Sequence, residues 1–259
     1  MDLGLTGKRA IVTGASRGIG LAVAQALAAE GVQVAMVARG ADELRVAAEG
    51  VGTAFPADTT DDASVRTMVA DVIGAFGGID ILINAAARPA GGTTPPTLAE
   101  ISDDDVRIEV ETKVLGYLRT ARAVAPHLVE QGWGRIVNVS GLNARHSGSI
   151  AGSMRNVAVA ALTKNLGDEL GPHGVNVTVV HPGITVTERT PGMLERRAAA
   201  DGITVDEAEA RFAAPVSIGR LVTAAEVADV VVFLCSPRSV AINGDALAVG
   251  GGTRGAIHY

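Results

Sequence analysis

Disulfides, a membrane span and a basic nucleic-acid face are all missing from this sequence. Cys235 is the only cysteine among 259 residues, so no disulfide can form within the chain. It ends the apolar run 230–235 and is expected to pack as a small hydrophobe. No apolar run reaches the ~20 residues that a helix needs to cross a bilayer. Residues 1–8 lack a signal-peptide pattern and lead almost directly into an apolar strand run. A soluble cytoplasmic protein with no membrane partner is expected. The formal net charge is −6 and no basic run is present, which argues against a nucleic-acid partner. No metal site is expected. Aromatic residues make up only 3% of the chain while 47% is hydrophobic, so Ala, Val, Ile and Leu must fill the core.

What is present is a regular alternation. Apolar runs at 10–12, 32–38, 52–57, 79–83, 135–139, 175–180 and 246–249 read as strands. Helical patterns lie near 21–30, 41–49, 61–76, 100–131, 153–171 and 224–235. The pattern predicts one α/β domain over 1–259 of the Rossmann-type doubly wound class. It would be a seven-stranded parallel sheet with helices on both faces. The segment 184–217 breaks the pattern, with Pro191, Gly192, Gly202 and Pro215 around a short helical stretch at 205–212. It follows the C-terminal end of a strand, where ligands bind in open α/β sheets. It reads as a lid over a small-molecule substrate, with a plain surface insertion as the alternative.

The most informative motif is Thr13-Gly14-Ala15-Ser16-Arg17-Gly18-Ile19-Gly20, set between the first strand and the first helix. Glycine lets the backbone turn tightly and approach a phosphate with no Cβ in the way. The helix start then offers free N–H groups and a partial positive charge to a diphosphate. Gly14, Ser16, Arg17, Gly18, Ile19 and Gly20 are therefore candidate cofactor residues. At the end of the second strand, where an acid would accept from a free 2′-hydroxyl, the chain has Ala38 and Arg39. Arg39 together with Arg17 suits a 2′-phosphate, which favours NADP(H) over NAD(H). The alternative is that both arginines simply face solvent.

Taken in order, these motifs resemble the short-chain dehydrogenase/reductase family over essentially the whole chain. The carriers are the 13–20 loop, Asp58-Thr59-Thr60-Asp61, Asn84-Ala85-Ala86-Ala87, the strand 134–140, His181-Pro182-Gly183 with Thr187, and Gly251-Gly252. The resemblance implies that Asp58 accepts from the adenine amino group, with Thr59 beside it. It implies that Asn84, Ala85 and Ala86 lie at the adenosine ribose. Pro182, Gly183 and Ile184 would line the nicotinamide, and Thr187 would bond its carboxamide. A helix-capping role is the alternative for Asp58. A homo-oligomer, dimer or tetramer, is also implied. Its interfaces would use the helices near 100–131 and 153–171, where Ala158, Ala160 and Ala161 allow close contact, and the last strand.

The family's reductases work with Asn, Ser, Tyr and Lys, and this chain contains no Tyr-x-x-x-Lys. Its two tyrosines are Tyr117, with Ala121 four residues on, and the terminal Tyr259. Registered on the tail 158–164, the resemblance places the lysine position at Asn156 and the tyrosine position at Gly152. The serine position falls on Gly141 and the asparagine position on Lys113. Lysine and asparagine are thus exchanged. Either Lys113 supplies the ammonium and Asn156 the ribose or water contact, or the exchange is coincidence and Lys113 reaches solvent. Ser140, Ser149, Ser153 and His146 lie in the same region. Of these, only an imidazole ordinarily titrates near neutrality, though an exposed loop histidine is the plainer reading. Arg145 and Arg155 would suit an anionic substrate or act as surface charges. The candidate catalytic set is Lys113, Asn156, Ser140 and His146. Three functions remain open: an atypical NADP(H)-linked oxidoreductase, a non-redox catalyst of elimination, cyclisation or isomerisation, and an inactive dinucleotide-binding regulator.

Overall fold

Each apolar run forms a parallel strand because both of its faces are covered by helices. The computed structural model describes residues 2–88 and 95–255. Tyr259 lies outside the described residues. The first half contains β1 (Arg9–Thr13), α1 (Gly18–Ala29), β2 (Gln33–Ala38), α2 (Ala41–Ala48), β3 (Thr53–Pro56), α3 (Asp62–Phe76) and β4 (Ile81–Asn84). Then come α4 (Asp103–Glu109), a π-helical turn (Val110–Leu115), α5 (Gly116–Glu130), β5 (Gly134–Val139), α6 (Ile150–Leu170) and β6 (Val175–Pro182). The chain continues through β7 (Thr185–Val186), α7 (Thr190–Asp201), α8 (Val205–Ala213), β8 (Val222–Thr223), α9 (Ala224–Cys235) and β9 (Ala246–Val249).

The main sheet has seven strands in the order β3-β2-β1-β4-β5-β6-β9, all parallel. The order reverses between β1 and β4, so the loops after these strands open a crevice at their carboxyl ends. Side chains alternate across the sheet. Ala10, Val12, Met36, Ile81 and Ile83 pack with α1, α2 and α9 on one face. Ile11, Ala35, Val37, Leu82 and Ile136 pack with α3 and α5 on the other. Each fully buried Leu, Ile or Val contributes roughly 1.5–3 kcal/mol, which offsets the scarcity of aromatics. Cys235 is buried at the end of α9, as expected.

Three features differ from the sequence reading. The helix expected at 100–131 is broken: α4 and α5 are joined by the π turn, and the Thr112 hydroxyl there donates to the Ile108 carbonyl at 2.8 Å. Side-chain bonding of this kind disturbs an α-helical ladder. The segment 184–217 holds two helices rather than one, because α7 precedes α8. These helices share a small apolar cluster of Leu194, Ala198 and Ala208. A two-stranded parallel pair, β7 with β8, ties the segment's start to the residues before α9. Among the described residues no helix is long and apolar enough to cross a membrane.

Candidate active site

The glycine loop closes onto the loop after β4. Gly14 has φ +68°, and a Cβ there would lie 2.8 Å from the Ala85 carbonyl oxygen. A Cβ at Gly20 would lie 2.3 Å from the Gly14 carbonyl oxygen. Only glycine permits these approaches. The Thr13 hydroxyl accepts from the N–H groups of Ala85 (3.1 Å) and Ala86 (3.2 Å), which fixes the two loops together. The N-terminus of α1 has no side-chain cap and no acidic residue in its first turn. One of its donors, Gly18 N–H, donates to Glu188 Oε2, from outside the helix, at 3.2 Å. These glycine contacts and uncapped donors fit a dinucleotide diphosphate.

The other sequence-predicted cofactor residues surround this crevice. Ser16 and Ile19 are half-buried in the loop. Arg17 is exposed and pairs with Glu43 at 3.7 Å, and Arg39 is exposed just past β2. Asp58 Oδ1 accepts from the Thr60 N–H (2.9 Å) and hydroxyl (2.8 Å), holding the turn after β3. The cap of α3 is Asp61, not Asp58. Thr59 is buried beneath Gly116. Asn84 belongs to a buried polar chain. It accepts from the Thr120 hydroxyl (2.7 Å) and donates to Asn138 (3.0 Å), which donates in turn to Thr163 (2.9 Å). That chain links β4, β5, α5 and α6, so the Asn84 side chain is engaged inside the fold. Pro182 ends β6, Gly183 packs against Leu142, and Ile184 is exposed. Thr187 stands beside Gly18, with its Cγ2 3.8 Å from a Cβ built there.

The second cluster centres on Lys113, which is 3% exposed. The π turn aims it inward, where Nζ donates to Asn156 Oδ1 at 3.1 Å and to the Ser140 carbonyl at 2.8 Å. Asn156 lies on α6, and its main-chain carbonyl accepts from the Ser140 hydroxyl at 3.2 Å. Lys113, Asn156 and Ser140 therefore meet. Lys113 does not reach solvent. His146 joins only through its carbonyl, which accepts from the Ser153 hydroxyl at 2.9 Å; among the described residues its imidazole makes no hydrogen bond to Lys113 or Asn156. Gly141 makes room for Asn156, since a Cβ there would sit 2.9 Å from Asn156 Nδ2. At Gly152 a Cβ would meet Ser149 Oγ at 2.7 Å and Asn143 Nδ2 at 3.2 Å.

Burial shapes the electrostatics. The Lys113 amine is pushed down to about 7 by burial and then by the Arg155 charge, with Glu109 opposing. Arg155 is itself buried on α6 and pairs with Glu109 of α4, while its Nε has no partner among the described residues. It is not a surface charge. The Tyr117 phenol donates to the Val139 carbonyl at 2.9 Å, and burial drives its pKa up, so it holds its proton. His181 is buried, its Nδ1 has no partner among the described residues, and burial, then Arg145 and Lys113, bring it down to about 4. Its imidazole is neutral at ordinary pH.

Sequence reasoning missed Glu109, Asn143 and Glu188, and left Arg155 undecided. Glu109 stands four residues before Lys113 and Arg155 adjoins Asn156, so helical spacing carried a signal for both. Nothing local marks Asn143 or Glu188.

Known proteins show similarity along the whole chain. A family described as Enoyl-(Acyl carrier protein) reductase matches residues 14–254. A putative ketoacyl reductase of Streptomyces coelicolor is 36% identical over 255 residues, covering 94% of this chain and 95% of that one. The 3-oxoacyl-(acyl-carrier-protein) reductase FabG of Escherichia coli is 32% identical over 259 residues, covering 95% and 97%. Among solved structures, L-sorbose reductase from Gluconobacter frateurii, complexed with NADPH and L-sorbose, superposes with a TM-score of 0.92. It shares 28% identity and covers 99% of this chain and all of that one. A variant of actinorhodin polyketide ketoreductase with NADPH gives 0.87 at 33% identity, covering 95% and 96%.

Proposed function

The chain belongs to the short-chain dehydrogenase/reductase family, and we propose that it is an NADP(H)-linked oxidoreductase of a small organic substrate that uses the Lys113 amine as its proton donor. The observation that carries this reading is the buried Lys113 amine, 3.1 Å from Asn156 Oδ1 and pushed down to about 7. A catalytic acid works best when its pKa lies near the working pH.

The cofactor reading draws on the crevice and on the relatives crystallised with NADPH. Gly14, Ser16, Gly18, Ile19 and Gly20 would hold the diphosphate, with Glu188 leaving the Gly18 N–H. Arg17 and Arg39 would pair with the 2′-phosphate and favour NADP(H). Asp58 and Thr59 would face the adenine. The backbone of Asn84, Ala85 and Ala86 would face its ribose. Pro182, Gly183, Ile184 and Thr187 would face the nicotinamide, with 184–217 as a lid. Bound there, the cofactor supplies a hydride, which carries both electrons and one hydrogen. Lys113 supplies the balancing proton to the substrate heteroatom and is left as the neutral amine. Asn156 and the Ser140 carbonyl hold that amine in place, and Ser140 and His146 add no proton of their own. The ketoacyl and sugar reductases among the relatives point to a carbonyl substrate. A homo-oligomer through α4–α6 is part of the reading, because Ile108, Met154 and Val157 stand exposed on those helices.

The test is NADPH and NADH oxidation on a panel of β-ketoacyl thioesters, ketoses, imines and enoyl thioesters. NADPH-dependent reduction abolished in Lys113→Met is the expected result. Product formation without NADPH consumption would establish the non-redox alternative, and binding with neither across the panel would establish a regulator.

A further inference from the structure

We propose that Glu109 and Arg155 are positioning residues that hold Lys113 against Asn156 and balance its charge, on the premise above that Lys113 carries the proton. Glu109 ends α4, four residues before Lys113, and Arg155 sits on α6 directly before Asn156. The Arg155 guanidinium donates to Glu109 while the neighbouring Asn156 accepts from Lys113. Two adjacent residues of α6 therefore clasp both ends of the segment 109–113. That double contact fixes the wide π turn, whose geometry alone would leave the amine poorly specified.

The pair also costs something that packing does not explain. Burying an arginine is unfavourable unless its charge and donors are satisfied. Here Arg155 is 7% exposed and, among the described residues, has Glu109 as its carboxylate partner and leaves Nε without any. An apolar residue at 155 would fill the same space more cheaply. What the pair adds is opposed fields at Lys113: Arg155 disfavours a second cation in the dry site, and Glu109 favours it. Without Glu109, two cations would share the cluster. Without Arg155, Glu109 would act on Lys113 unopposed.

The other titratable groups of this part of the core stay constant around neutrality. His181 of β6, on which the Lys113 charge acts, stays neutral, and Tyr117 of α5 keeps its proton. Arg145, from the loop after β5, is bonded to the Ala246 carbonyl. A change in Lys113 titration therefore reports on Glu109 and Arg155.

The experiment is an NMR titration of the full-length protein labelled with ¹⁵N-lysine and free of cofactor. The Lys113 signal is identified by its absence in Lys113→Met. Both charges act on the Lys113 amine, and a nearby charge moves a pKa by about one unit or more, so proton affinity should rise about tenfold or more in R155M and fall about tenfold or more in E109Q. R155K, which keeps the charge, should titrate close to the parent, and so should the E109Q/R155M double variant. A merely structural role would not move the two single variants in opposite directions. Unmoved midpoints, or shifts of the same sign, overturn the proposal. Gln is isosteric with Glu and Glu109 is partly exposed, so E109Q alone decides the matter if R155M does not fold: an unmoved or raised midpoint refutes it. NADPH turnover is measured alongside. Opposed shifts without turnover leave the pair standing and remove Lys113 as proton donor, whereas turnover with unmoved midpoints removes the pair alone.

Discussion

Replacing Lys113 with Met should change how stability depends on pH more than stability at any single pH. In the folded chain the amine titrates at about 7. In the unfolded chain a lysine titrates near 10.4. Below pH 7 both forms are protonated and the folded state bears the full burden of a buried cation. Above about 10.4 both forms are neutral and the burden is gone. Between these limits the unfolded state binds a proton that the folded state has released, so stability rises with pH at ~1.4 kcal/mol per unit. From pH 7.5 to 9.5 the parent should therefore gain roughly 2–3 kcal/mol over Lys113→Met. Lys113 is almost wholly buried, so solvent screening removes little of this. At one fixed pH the comparison is close to balanced. Met removes the buried charge, but it leaves the Ser140 carbonyl and Asn156 Oδ1 without their donor, at ~1–3 kcal/mol each. Urea unfolding of both proteins at pH 6, 7.5, 8.5 and 9.5, at one protein concentration, gives the difference directly. Other titrating groups cancel in it. A difference flat to within about 0.5 kcal/mol between pH 7.5 and 9.5 would refute the buried, depressed amine.

Gly14→Ala forces a side chain into a left-handed backbone at ~1–2 kcal/mol and onto the Ala85 carbonyl, so the melting temperature falls and NADPH affinity, read by fluorescence titration, drops more than tenfold. Gly141→Ala meets no backbone strain but presses on Asn156 Nδ2, so NADPH-linked turnover should fall while circular dichroism stays that of the parent. Arg39→Ala should weaken NADPH about tenfold or more and leave NADH nearly unchanged, since a charge-assisted hydrogen bond contributes ~1.5–3 kcal/mol; equal weakening of both cofactors would remove Arg39 from the 2′-phosphate. Cys235 is buried and its thiol pKa is pushed up, so Ellman's reagent at pH 8 should react only as the protein unfolds, and prompt stoichiometric reaction would contradict its placement.

The sheet was legible because parallel strands buried on both faces must be apolar throughout, as Ile81-Leu82-Ile83 is, and the helices between them must not be. Helix α7 was hidden by its start. Thr190-Pro191-Gly192 reads as a turn, yet a proline in the first helical turn loses no intrahelical hydrogen bond. Strands β7 and β8 have two residues each, too short for any period to show. The glycine loop was readable because close backbone approach demands glycine. The meeting of Lys113 with Asn156 was readable only through the family register, since 43 residues separate them. Glu109 was lost in an acidic stretch, Asp103 to Glu111, that looks like a solvated helix face. Its spacing from Lys113 marks the helix face, but its pairing with Arg155, 46 residues on, is a tertiary contact beyond the reach of that spacing.

The π turn at 110–115 works as the aiming device for one side chain. An α-helix turns 100° per residue, and the wider turn takes up about one residue beyond an α-helical ladder. Deleting one residue there, for instance Thr112, would let α4 run straight into α5 with both helices still in phase. Glu109 would go on facing Arg155. Lys113, wound back into an α-helical ladder three residues from Glu109, would lose its inward direction. A shorter and locally better-bonded helix would so leave the ion pair standing and take the amine away from Asn156.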